Sequence, residues 1–137
     1  MLALTTKSKY GIAALLQLAS GFGGGLLQIK DLAGHQGIPR NYLVQVMNGL
    51  ITAGLVKTVR GKRGGYTLSR APEKITLFEA FEALEGPLEL RATGPEDFVV
   101  SDLLQKAEAG FRHNLRITIA EILVLQKEGA SDFTFQI

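Results

Sequence analysis

Three cations stand among three glycines in Arg60-Gly61-Lys62-Arg63-Gly64-Gly65, and Tyr66 follows. Cations on a chain nearly free of bulk can lie along a phosphate backbone or enter a narrow minor groove. Strand-like segments flank them: Leu55, Lys57 and Val59 after Gly54 on one side, Tyr66, Thr67, Leu68 and Ser69 on the other. The Gly64-Gly65 pair is expected to supply the positive φ angles of a hairpin tip. A hairpin whose charges merely keep its edges soluble would carry the same residues. The segment upstream has to decide between the two.

That segment holds a second polar set, Arg40, Asn41, Tyr42 and Gln45, directly after Pro39. Arginine can donate two bonds to guanine O6 and N7, and asparagine or glutamine can pair with adenine N6 and N7. Tyr42 can reach a phosphate or a thymine methyl. Each good base contact discriminates by about 1–3 kcal/mol. Val44 and Asn48 fall on the same side, where a merely wet helix face would look alike.

The elements that must position these residues follow from periodicity. Residues 28–36 carry Ile29, Leu32 and Ala33 on one face, and Gly37 stops the helix. Ile38 precedes a proline and is pushed out of the helical region. Pro39 suits the first turn of a new helix running to about Ala53. Leu43, Val46, Met47 and Leu50, spaced i, i+3, i+4, i+7, make its apolar stripe. Two helices joined by a tight glycine turn and followed by a basic hairpin make a winged helix-turn-helix. The fold class expected is mainly α with a small β-hairpin.

A first helix is expected over about Thr6 to Ala19, with Ile12, Leu15, Leu16 and Ala19 as its stripe and Thr5 or Thr6 as its cap. Lys7, Ser8 and Lys9 crowd its start. They either touch phosphate or are simply exposed, and Lys9 joins the candidate contacts. Gly21 to Gly25 reads as a flexible link. Thr76 with Glu79 fits a capping box opening a helix that buries Leu77, Phe78, Phe81 and Leu84. Residues 86–97 read as a loop. A long helix is then expected from about Ser101 to Glu128. Its stripe, which includes Leu104, Phe111, Leu115, Ile119 and Ile122, is too long for a small domain to bury, so a second copy of the chain is expected to cover it, the alternative being an ordinary core helix packed back on its own domain. The organisation expected is a DNA-binding domain over 1–85, a linker or sensor loop over 86–100, and a dimerisation helix and tail over 101–137. The tail residues Phe133, Phe135 and Ile137 alternate with polar ones as a short strand or a packing arm would.

Charge is segregated along the 137 residues. Residues 1–75 hold ten cations and two anions, a net of +8, and residues 76–137 hold five cations and eleven anions, a net of −6. A basic front and an acidic rear suit a domain that meets DNA on one side. A membrane surface or an acidic protein would also suit a basic half, without explaining the helix-turn-helix spacing. There are no cysteines, which removes disulfides and thiolate metal sites. No stretch reads as a membrane span or a signal peptide, so a cytoplasmic location is expected. His35 and His113 are far apart and lack ligand partners at metal spacing. No catalytic triad or nucleotide-binding glycine loop is present, and an enzyme is not expected.

The combination of Leu4-Thr5-Thr6-Lys7-Ser8-Lys9-Tyr10, Gly37-Ile38 with Tyr42-Leu43 and Gln45, and Gly54-Leu55-Val56 leading to Val59-Arg60-Gly61 and Gly64-Gly65-Tyr66 resembles the Rrf2 family of bacterial winged-helix regulators. The resemblance covers nearly the whole chain. It implies a homodimeric DNA-binding transcriptional regulator, usually a repressor, with a long C-terminal dimerisation helix. It also implies base reading by Pro39 through Tyr42 and Gln45, and minor-groove entry by Arg60, beside Lys62 and Arg63 in the wing. Iron–sulfur members carry three cysteines between the fourth and the long helix. Here Gly86 to Ser101 has none; Phe98 stands where a ligand cysteine falls, and Ser101 near a position one branch fills with histidine. The cluster is therefore expected to be absent, as in the cysteine-metabolism repressors of the family, and no cofactor is expected. Two functions stay open: a regulator binding a pseudo-palindromic double-stranded DNA operator, and a winged-helix protein-interaction module without specific DNA binding.

Overall fold

In the computed structural model, residues 4–90 and 99–129 are described, save the side chains of His35 and Gln36. The expectations for the tail (Phe133, Phe135, Ile137), for Phe98 and for most of the 86–97 loop lie outside them. Helix α1 is Thr6–Ser20, α2 Ile29–Gln36 and α3 Arg40–Thr52; strands β1 (Val56–Val59) and β2 (Gly65–Leu68) follow, then a 3-10 turn (Pro72–Lys74), α4 (Leu77–Glu85), α5 (Val99–Asn114) and α6 (Ile119–Gly129).

Local chemistry sets the ends of the first three helices. Thr5 is the cap of α1, its Oγ1 accepting from the Ser8 N–H at 3.2 Å. Gly37 ends α2 with φ 66°, a left-handed conformation that glycine adopts without steric cost. Pro39 caps α3. The stripe on α3 is wholly buried: Leu43, Val46, Met47 and Leu50 pack with Leu15, Leu18 and Ala19 of α1, Leu32 of α2, and Leu55, Val56 and Leu68 of the hairpin. Ile12 is partly buried against the same core. On α4, Phe78, Ala80 and Leu84 are buried, whereas Leu77 and Phe81 are half-covered.

The hairpin pairs antiparallel, from Val56 opposite Leu68 to Val59 opposite Gly65. Its tip uses its glycines partly as expected. Gly65 has a positive φ, 158°, and so does Gly61, 124°, whereas Gly64 does not. Gly64 is needed for closeness, because a Cβ there would sit 2.1 Å from the Val59 carbonyl oxygen. A third segment joins the hairpin. Leu27, in the link before α2, exchanges two backbone hydrogen bonds with Tyr66, at 3.1 and 2.7 Å. The wing is thereby tied to the start of the helix-turn-helix.

The continuous helix expected over 101–128 is two helices. After Asn114 the chain turns, and its carbonyls face the start of α4. Leu115 C=O accepts from Phe78 N–H at 3.0 Å and Ile117 C=O from Leu77 N–H at 2.8 Å. Those amides belong to the first turn of α4 and have no partner within it. Thr118 then opens α6, its Oγ1 accepting from Glu121 N–H at 3.1 Å. The Ile119 N–H donates to Ile75 C=O at 2.8 Å. Thr118 and Glu121 have the capping-box spacing, a stop-and-restart signal the hydrophobic repeat had masked. Helix α6 packs back on α1 and the 3-10 turn. Ile119, expected at a dimer interface, is 0% exposed in the chain's own core. Ile122 and Leu123 pack partly against that core, and Leu115 is half-buried.

Helix α5 differs from the rest in having no buried residue. Its C-terminal end is moored to α4. The Phe111 and Phe78 rings meet edge to face with centroids 6.3 Å apart, and the Arg112 guanidinium lies 4.4 Å from the centre of the Phe78 ring. Arg112 also pairs with Glu82 at 3.6 Å and Glu108 at 3.4 Å. Toward its N-terminal end, Val99 and Leu103 are 67% and 57% exposed and Leu104 is half-buried.

Candidate nucleic-acid interface

Burying the α3 stripe turns the opposite face outward. Arg40, Asn41, Gln45 and Asn48 are exposed, as is Pro39 ahead of them, and Val44 is half-covered. Tyr42 is placed differently from a free surface contact. Its half-buried ring meets Tyr10 of α1 edge to face, centroids 5.8 Å apart, so one side of it belongs to the domain's packing. Such a contact fixes the start of α3 against α1.

The wing brings its first arginine to the same place. An open cleft runs between the start of α2, the start of α3 and the hairpin, lined by Lys30, Arg40, Thr58, Arg60 and Tyr66 among others, with no aspartate or glutamate in its lining. Arg40 and Arg60, 20 residues apart, thus share one concave surface. Lys30, which sequence reasoning passed over, joins them because Leu27 is stitched to Tyr66. Lys62 and Arg63 are exposed at the tip and Lys9 on α1, none of them in the cleft lining.

The α1 start proves partly structural. Ser8 is 0% exposed, and its hydroxyl and that of Thr5 both donate to Glu85 Oε1 at the end of α4. These bonds, the Ser8 one first, hold the Glu85 carboxyl below its ordinary value of 4.5, with Lys7 helping and desolvation opposing. Ser8 is therefore no phosphate contact. His113 is exposed on α5. Among the described residues, no three His, Cys, Asp or Glu side chains could hold a metal ion, and no helix is long and apolar enough to cross a membrane.

A buried-stripe second helix, a left-handed glycine turn before it, and a cationic hairpin bonded back to the first helix's approach together define a winged helix-turn-helix. The chain belongs to the Rrf2 family, whose model, described as an iron-dependent transcriptional regulator, matches residues 4–124. It is 38% identical to the regulator CymR of Bacillus subtilis over 85 residues, 62% of each chain. It is 40% identical over 93 residues to IscR of Cereibacter sphaeroides, which covers 66% of this chain and 60% of that one. The matches thus span less than two thirds of these curated relatives. Solved structures extend the likeness: CymR (YrzC), the global cysteine regulator of B. subtilis, superposes with TM-score 0.76 at 30% identity over 91% of this chain and 98% of that one. T. potens IscR gives 0.73 at 34% identity over 97% and 93%.

The family description names iron. Protein-held iron–sulfur clusters need thiolate ligands, and this sequence has no cysteine. The donor set does not fit such a cluster.

Proposed function

We propose that the chain is a homodimeric, sequence-specific DNA-binding transcriptional regulator, a repressor that works in the bacterial cytoplasm without an iron–sulfur cluster. The observation that carries this reading is the acid-free cleft joining Lys30, Arg40 and Arg60, beside the exposed Asn41 and Gln45. Polar residues at the start of a helix suit base edges in the major groove, and a cationic wing suits the adjacent backbone or minor groove. The base-reading set is Pro39, Arg40, Asn41, Tyr42 and Gln45. Arg60, Lys62, Arg63 and Lys9 act on the backbone or minor groove.

Dimerisation is supported by α5, which leaves Val99 and Leu103 uncovered. A second copy would cover them together with Leu104 and the free side of Phe111. Two α3 helices about one turn of DNA apart, roughly 34–36 Å, would then read a pseudo-palindrome. Repression is the role the family resemblance suggests, and it follows when the operator overlaps a promoter.

The test is a titration of purified, metal-free protein on the intergenic duplex upstream of its own gene. A scrambled duplex of equal length serves as control, at two salt concentrations. Tight, site-selective binding is expected. Weak, equal binding to both duplexes that fades with salt would leave the phosphate interaction alone and defeat the specific-regulator reading.

A further inference from the structure

We infer that Lys30, on α2, is a backbone-phosphate contact that sets the register of α3 on DNA; this rests on the DNA-binding reading above. Lys30 is exposed and lines the cleft whose other cations are Arg40 and Arg60. Among the described residues none of the three forms an ion pair, whereas Arg70 and Arg112 do. The adjacent acid is already engaged: Asp31 Oδ2 accepts the Gln28 N–H at 3.1 Å and closes the cap of α2. No carboxylate in the cleft lining neutralises it.

The cleft also has a fixed shape. The Leu27–Tyr66 hydrogen bonds hold the wing against the approach to α2, so Lys30 and Arg60 sit on one framework. An anion entering the cleft meets positive charge from the helix-turn-helix and from the wing together. In a protein whose α3 lies in the major groove, the group that passes between α3 and the wing is the sugar–phosphate backbone. A contact there carries no sequence information, but it fixes where the reading residues fall.

The experiment compares wild type, Lys30→Gln, Lys30→Arg and Lys127→Gln by fluorescence anisotropy, on the upstream intergenic duplex and its scrambled control, over a salt series. Lys127 is exposed on α6 and removes the same charge away from the cleft. Lys30→Gln should weaken both duplexes by the same factor. It should also flatten the plot of log affinity against log salt by about 0.9 per protomer. Lys30→Arg should keep the wild-type slope, and Lys127→Gln should leave it unchanged. Because the Lys30 side chain is exposed, thermal midpoints should agree across the set. A Lys30→Gln slope equal to that of Lys127→Gln overturns the inference, and so does a loss confined to the intergenic duplex. Wild-type protein that binds both duplexes alike would sink the sequence-specific reading, while a lowered slope in Lys30→Gln would still mark the phosphate contact.

Discussion

Ile119 separates two ideas of the C-terminal part. On a free-standing dimerisation helix, its truncation would weaken association and leave each copy's fold intact. In the structure it is 0% exposed in the chain's own core, at the start of a helix that packs on α1 and the 3-10 turn, with its N–H bonded to Ile75 C=O. Ile119→Ala removes three carbons. At about 0.8 kcal/mol per buried methylene-sized group this is roughly 2.4 kcal/mol of lost transfer energy. The cavity left behind adds to it, because the surrounding core can close only in part, so the expected cost is about 3–4 kcal/mol. Ile119→Val, which removes one carbon, should cost about 0.5–1.5 kcal/mol. Urea unfolding followed by circular dichroism measures both, with the slope m unchanged. The difference from wild type should be the same at protein concentrations tenfold apart, as expected for a lost intrachain contact. A Ile119→Ala variant within about 1 kcal/mol of wild type in unfolding, yet dissociated in sedimentation, would refute the packing argument and restore the helix to a dimer face.

Other outcomes follow from the same geometry. Glu85→Gln should reshape the acid limb of stability: with its folded pKa lowered by Ser8 and Thr5, the carboxylate stabilises fully above 4.5 and loses that contribution as pH falls through its folded value. The gap between wild type and variant in urea midpoint should therefore be widest near neutral pH and close on acidification; a gap constant with pH would exclude the linkage. Gly64→Ala places a Cβ against the Val59 carbonyl, so the wing tip must open, and affinity for both duplexes should fall while the core, measured by thermal unfolding, changes little. Gln45→Ala should cost about 1–3 kcal/mol on the specific duplex alone, and Arg60→Ala should weaken both duplexes; affinity untouched by either change would defeat the docking scheme.

Much of this molecule could be read before it was folded. The stripe Leu43, Val46, Met47, Leu50 foretold a half-buried helix because helical periodicity is local. Gly37, Pro39 and the Thr76–Glu79 pair marked helix ends because caps act within four residues of themselves. The polar start of α3 and the cationic hairpin were legible for the same reason: each is a run of neighbours.

What the tertiary structure decided are relations between distant residues. A hydrophobic repeat across 101–128 cannot say whether its helix is whole; the first-turn amides of α4 drew the carbonyls of Leu115 and Ile117 and broke it. Ser8 reads as one more polar residue beside two lysines until Glu85 comes to meet it. Lys30 is an ordinary surface lysine in the chain order, and it enters the cleft because Leu27 bonds to Tyr66, 39 residues away. Local order follows from neighbouring residues, whose geometry the backbone restricts to a few choices. The charge set of the cleft depends instead on which buried faces pack together, and that is settled by the whole core at once.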